Sequence, residues 1–171
     1  LLNLEKDPQL DIFAETACLV TDCPAALIAM MESETQTIQS CVGMALDFVD
    51  RKNTVCQYSI ASREILVIND TLLDERSSEN PLILAGGIRF YAGVPLIDDE
   101  GFVLGTICVI DYKPKTITKD QISTLKKIGD AITKILTGKR KNIQAEYFQQ
   151  TFTISNNLIC VLDKDFSLKE S

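Results

Sequence analysis

Residues 88–97 read IRFYAGVPLI and residues 102–111 read FVLGTICVID. Both runs are of strand length and rich in β-branched and aromatic side chains. Between them stand Asp98-Asp99-Glu100-Gly101, which is hairpin chemistry, with a glycine free to take positive φ. Two long strands joined so tightly must run antiparallel. The fold is therefore built on an antiparallel sheet, and the remaining elements are read outward from this pair.

Downstream, Thr118 and Gln121 have the spacing of a capping box, and Ile117 and Ile122 that of a hydrophobic staple. A helix follows, with Leu125, Ile128, Ile132 and Ile135 repeating at 3-4-3 spacing. Such a seam faces either a partner helix, as a dimer seam, or the chain's own sheet. The expected arrangement combines the two, with the first half on the sheet and the end projecting. Gly138 is a candidate end, although residues 139–150 are helix-compatible and the helix can continue through them. Residues 158–162, LICVL, read as a strand, followed by a turn at 163–165 and the start of another strand at 166–168.

Upstream, residues 65–69 (ILVIN) read as a buried strand. Residues 70–84 are expected to form a loop and a short helix around Asn80-Pro81, and Asn53 to cap another short helix through residue 61. Residues 25–31 and 37–42 read as strands joined by the polar loop 32–36. Asp7-Pro8 opens a first helix over residues 8–22, with Leu10, Phe13, Ala14 and Ala17 on one face, before Pro24. Long connections over a sheet are where binding cavities collect, and the two here are residues 43–53 and 70–87.

Composition narrows the chemistry. The 171 residues suit one domain and a remnant, with 46% hydrophobic residues to fill a core. A net charge of −7 opposes a phosphate-backbone binder, so no nucleic-acid partner is expected; Lys139-Arg140-Lys141 reads as a solvated helix face. No run reaches membrane-spanning length, and six cysteines without a secretion signal point to a cytoplasmic setting with reduced thiols. The chain has no histidine and no CxxC, so no metal site is expected, and neither Ser-His nor Cys-His catalysis is possible within it.

The segments Asn80-Pro81-Leu82, 88–96 and 105–111 resemble the GAF family, in particular the branch found in bacterial sensor histidine kinases and diguanylate cyclases. The resemblance covers residues 10–136. It implies an α+β, GAF-like fold with a central antiparallel sheet of five or six strands and helices on both faces. The terminal helices would cover one face, and short helices and loops the other, with family ligands held beneath them. It also implies parallel homodimers through the terminal helices. Residues 148–168 resemble the opening of a PAS domain, so the expected organisation is a GAF domain at 1–137, a linker helix at 138–150 and a truncated PAS-like start at 151–171, with an output domain further downstream.

Candidate ligand-binding residues are Cys56, Asn69, Asp70, Arg89, Phe90, Tyr91 and Cys108. Cys56 lies on the short helix where relatives carry a cysteine followed by a histidine, and reads as a pocket thiol or a small buried hydrophobe. Cys108 is mid-strand, with the same two readings. Arg89 has the planar fork that clamps anions, or faces solvent. Phe90 and Tyr91 must point to opposite faces. Asn69 and Asp70 end a strand beside the expected cavity, or cap its turn.

The leading expectation is a sensory module that binds a small ligand or relays a signal to a downstream catalytic domain, a histidine kinase above all, without catalysis of its own. No cofactor is required, and a covalent bilin is disfavoured because its usual histidine is missing. A second expectation is a non-binding dimerisation spacer. A third is a thiol-dependent reductase of free methionine sulfoxide, as some stand-alone relatives are, with Cys41, Cys56 and Cys108 as candidates; no cation adjoins them in sequence to lower a thiol pKa.

Overall fold

The computed structural model describes residues 6–46 and 48–167. It divides into a unit of residues 1–134 and a second of residues 135–171. The first unit opens with α1 (Pro8–Thr21). The Asp7 side chain accepts from the Gln9 backbone N–H at 3.0 Å, and Leu10, Ala14, Ala17 and Thr21 form the buried stripe. Next come β1 (Ala25–Met31), β2 (Thr35–Val42) and β3 (Phe48–Asp50), then a 3₁₀ turn (Arg51–Asn53) and α2 (Cys56–Ser62). The unit continues with β4 (Leu66–Ile68), α3 (Pro81–Gly86), β5 (Phe90–Ile97), β6 (Val103–Asp111) and the first part of α4 (Lys119–Ser167).

The six strands form one antiparallel sheet in the order β3-β2-β1-β6-β5-β4. The β5–β6 hairpin pairs from Phe90↔Asp111 to Ile97↔Val103. Its turn is held by the Asp98 side chain, which accepts from the N–H groups of Glu100 (3.0 Å) and Phe102 (2.8 Å), while Gly101 takes φ +87°. Alternation assigns Ile28, Phe90, Leu96, Ile107 and Val109 to one face and Leu27, Ile38, Ile68, Tyr91 and Cys108 to the other. The first set is fully buried under α1 and the start of α4: a Cβ at Gly129 of α4 would stand 3.0 Å from Val94 and within 4 Å of Leu96 and Ile107. The second set forms the core beneath α2 and α3.

The capping box forms: the Thr118 N–H donates to Gln121 Oε1 at 2.8 Å, and the Gln121 N–H to Thr118 Oγ1 at 3.1 Å. The Gln121 amide also donates to the Val20 carbonyl at 2.9 Å, tying α4 to α1.

Four expectations change. Leu125, Ile128 and Ile132 are buried within this single chain, and Ile135 is half-buried, so the first three are not free to form a dimer seam in this packing. A 3-4-3 spacing specifies an apolar stripe without specifying what covers it. The helix does not end at Gly138, and residues 158–162 are helical rather than a strand. A helix satisfies its backbone groups within the segment, whereas a strand needs a neighbour. The connection after Gly43 contains β3, too short for periodicity to reveal. Asn53 does not cap α2: Asp50 caps the 3₁₀ turn, and α2 starts after Val55 without a side-chain cap.

Candidate functional site: a cavity beneath α2 and α3

Two short helices are fixed over the sheet by local chemistry. Ser59 of α2 is fully buried, and its hydroxyl lies 3.0 Å from the Glu64 carbonyl oxygen and 3.1 Å from that of Gly93 on β5. α3 begins with Pro81 at its first turn, and Asn80 Oδ1 accepts from the N–H groups of Leu82 (2.9 Å) and Ile83 (3.3 Å). The Asn80 amide also donates to the Asn53 carbonyl at 2.9 Å. Asn53 and Asn80 both line the cavity, so this bond straps its rim. Asn80→Ala removes the cap and the strap together. The expected loss is about 1–2 kcal/mol in urea unfolding, larger than for Asn53→Ala, whose backbone carbonyl is retained.

The cavity measures about 320 Å³, at the lower end of the range for small-molecule sites. Its floor is Leu27, Gln36, Ile38, Tyr91, Cys108 and Ile110, and its cover includes Met44, Leu46, Val55, Cys56, Leu82 and Ile83. Among the described residues the lining holds no Asp, Glu, Lys or Arg.

Besides the Asn53–Asn80 rim, its polar groups are Thr54, Gln36, Tyr91 and the thiols of Cys56 and Cys108. The Tyr91 hydroxyl donates to Cys56 Sγ at 3.1 Å. Tyr91 reaches it by lying along β5 over Gly93, where a Cβ would collide with the tyrosine hydroxyl. A side chain at position 93 would push the tyrosine two residues before it out of this placement. Gln36 Nε2 donates to Thr106 Oγ1 at 3.4 Å.

This cluster sets the thiols apart. Donation from Cys108 outweighs burial and, with Tyr91, Gln36 and Thr106, lowers the Cys56 pKa to about 6. The same bond, followed by burial, pushes the Cys108 thiol well up. Burial above all, then the two thiols, raises the Tyr91 phenol. Hydrogen-bond donors thus do what an adjacent cation was expected to be needed for. An unfolded thiol titrates near 8.5. Between about pH 6 and 8.5 the folded Cys56 binds fewer protons than the unfolded one, so stability rises with pH there and is lost as pH falls through 6. Above that window Cys108 acts in the opposite sense. The urea midpoint of the reduced protein is expected to climb from pH 6 to 8, and Cys56→Ser to flatten that climb.

Of the seven candidate residues, Cys56, Tyr91 and Cys108 converge on this cavity. Phe90 is fully buried on the opposite face of the sheet. Arg89 and Asp70 engage each other, Nε to Oδ1 at 3.1 Å and Nη2 to Oδ2 at 2.8 Å, and neither lines the cavity. The Arg89 guanidinium holds the Asp70 carboxyl below its ordinary range. Asn69 accepts the Lys115 N–H through its backbone carbonyl at 3.0 Å and is likewise outside the lining. Gln36 was missed, because residues 32–36 read as a hairpin loop. The usable signal was its position two residues before Ile38, on the same strand face. Among the described residues, no cluster of three or more metal-ligating side chains forms, and no helix is long and apolar enough to cross a membrane.

A model of the GAF domain matches residues 6–136. A cyclic di-GMP phosphodiesterase of Pseudomonas aeruginosa is 32% identical over 118 residues, 67% of this chain and 20% of that protein. The chain thus spans about a fifth of the length of this relative. The GAF domain of a phosphoenolpyruvate-protein phosphotransferase from Coxiella burnetii superposes with a TM-score of 0.70 at 9% identity, covering 82% of this chain and 88% of that one. A type II free methionine-R-sulfoxide reductase from Thermoplasma acidophilum gives 0.62 at 15% identity, covering 73% and 87%. At these identities the structural likeness concerns the fold.

Proposed function

The chain belongs to the GAF domain family, and from that premise we propose that it is the sensing module of a larger signalling protein, taking a small molecule into the cavity beneath α2 and α3. The observation that carries this reading is the cavity itself: a largely apolar chamber with a Tyr91–Cys56 pair and Gln36 in its lining, between the sheet and two short, strapped helices. Occupancy would be passed through the sheet. Tyr91 and Cys108 line the chamber, while their strand neighbours Phe90, Ala92, Ile107 and Val109 lie on the face covered by α1 and the start of α4. A ligand that prefers one placement of β5 and β6 therefore biases the seating of α4, and through it the output domain. That output is a histidine kinase or a cyclic-dinucleotide enzyme, reached past the PAS-like segment. Homodimerisation through the terminal helices would use residues after 138, where Ile143 and Tyr147 are exposed four residues apart.

Native mass spectrometry of the domain purified from its own host tests the reading. The expected spectrum contains an added small mass that is lost on denaturation. Bare protein, with no thermal shift on adding host metabolite extract, would favour the dimerisation spacer.

The competing reading is a thiol reductase, favoured by the lowered Cys56 thiol beside Cys108. Against it stands a lining without Lys or Arg among the described residues: free methionine sulfoxide carries a carboxylate, which requires a partner once desolvated. Dithiol-dependent turnover of free methionine sulfoxide, abolished by Cys56→Ser, would replace sensing by catalysis.

A further inference from the structure

Gln36 is 3% exposed and lies on the cavity floor. Its Nε2 donates to Thr106 Oγ1, but its Oε1 is buried with no hydrogen-bond partner among the described residues. It is the only such side-chain atom among them. A buried carbonyl left unpaired is costly, and buried polar atoms are almost always paired. Most of the rest of the lining is apolar, from Leu27 and Ile38 on the floor to Leu46 and Ile83 above; Tyr91 bonds Cys56, and Asn80 bonds Asn53. With no Asp, Glu, Lys or Arg among the described lining residues, an anion entering it would be desolvated without a counter-charge, and a cation would meet only a Cys56 sulfur already bonded by Tyr91.

Resting on the sensing reading, we propose that the cavity selects a neutral, predominantly apolar molecule carrying a hydrogen-bond donor, which it presents to Gln36 Oε1. The donor satisfies the one orphaned acceptor, and the apolar body fills the space over Ile38 and Ile110. The chamber volume suits a body of one or two fused rings. Anionic nucleotides are rejected because no described lining cation meets a phosphate. A thiolate at Cys56 adds to the bias against anions, and its charge is already met by Tyr91 and Cys108.

Four matched probes test this by isothermal titration with the whole chain: 2-naphthol, 2-methoxynaphthalene, 2-naphthoate and (naphthalen-2-yl)methylammonium. They share a body and differ in donor and charge. The expected order is 2-naphthol first, on the order of tenfold tighter than the methoxy compound, with both ions weaker again. Gln36→Leu is expected to keep the affinity for 2-methoxynaphthalene and to erase the advantage of 2-naphthol. In wild type, saturation with 2-naphthol should also shift the Gln36 side-chain amide resonances, a readout independent of the variant's folding. Equal binding of 2-naphthol and its methyl ether by wild type would overturn the role of Gln36. Either ion binding as tightly as 2-naphthol would overturn the neutral class and leave the sensing reading standing. No binding of any of the four would overturn the proposed ligand class, whereas the sensing reading falls only if native mass spectrometry also shows bare protein.

Discussion

Leu125→Asp is expected to unfold the domain, not to release a dimer. Leu125 is fully buried, as is Ile132 two turns later, on the stripe of α4 that lies over the sheet. An aspartate there is taken fully out of water, so it either stays charged in the core or takes up a proton at a comparable cost. Such substitutions lie in the tail above about 4–5 kcal/mol, a large share of the roughly 5–15 kcal/mol that stabilises a domain. Circular dichroism should show loss of the cooperative thermal transition at every protein concentration. If the variant instead stayed folded and became monomeric, Leu125 would be a seam residue, and the packing of α4 described above would be wrong.

Gly105→Ala is expected to be nearly as damaging, although it adds one methyl group to an exchange that is mild elsewhere. Gly105 sits in β6 opposite Met30 of β1 and Leu96 of β5. On the β5 side the register shifts at Leu96/Ile97, whereas β1 pairs with β6 in regular register up to Met30↔Gly105. The Ala29 backbone carbonyl of β1 fills the space that a Cβ on Gly105 would occupy. The obstacle is main chain in the centre of the sheet, so relief requires moving β1 or β6, at about 3 kcal/mol or more. Gly138 in α4 is the internal control: nothing lies within 4 Å of its Cβ position, and Gly138→Ala should stabilise by about 0.5–1 kcal/mol. Urea unfolding of the two variants should move the midpoint in opposite directions. A Gly105→Ala midpoint close to wild type would mean that the close approach of β1 to β6 at Ala29 is misplaced.

The fold was readable where local chemistry acts alone. The turn after Ile97, the Asp7 cap, the Asn80-Pro81 helix start and the Thr118–Gln121 box all form from residues within a few positions of one another. The strands on either side of Gly101 could be read because two long apolar runs flank a turn. β3 could not, since three residues carry no period and pair only once β2 is in place. The long helix beyond Gly138 was harder to read, because glycine weakens a helix without forbidding it.

The site was half legible for a similar reason. Alternation on β5 separates Phe90 from Tyr91, but it does not say which face holds the cavity. Only the placement of α2, fixed by Ser59 against Gly93, assigns it to the Tyr91 side. Arg89 was a candidate because an arginine among apolar residues invites a ligand, yet Asp70, nineteen positions earlier, already fills its fork. Gln36 was overlooked because a polar residue beside a turn resembles loop. Its burial depends on β3 and α2, neither of which is adjacent to it in the strand reading.

Methyl-resolved nuclear magnetic resonance of the domain titrated with 2-naphthol tests most directly whether the α2–α3 side of the sheet is a binding chamber. The expected result is saturable shifts first and largest at Leu27, Ile38, Ile83 and Ile110, with smaller responses at Leu125 and Ile132 across the sheet. Shifts confined to the α1 and α4 side, or none at any of these methyls, would contradict a chamber beneath α2 and α3.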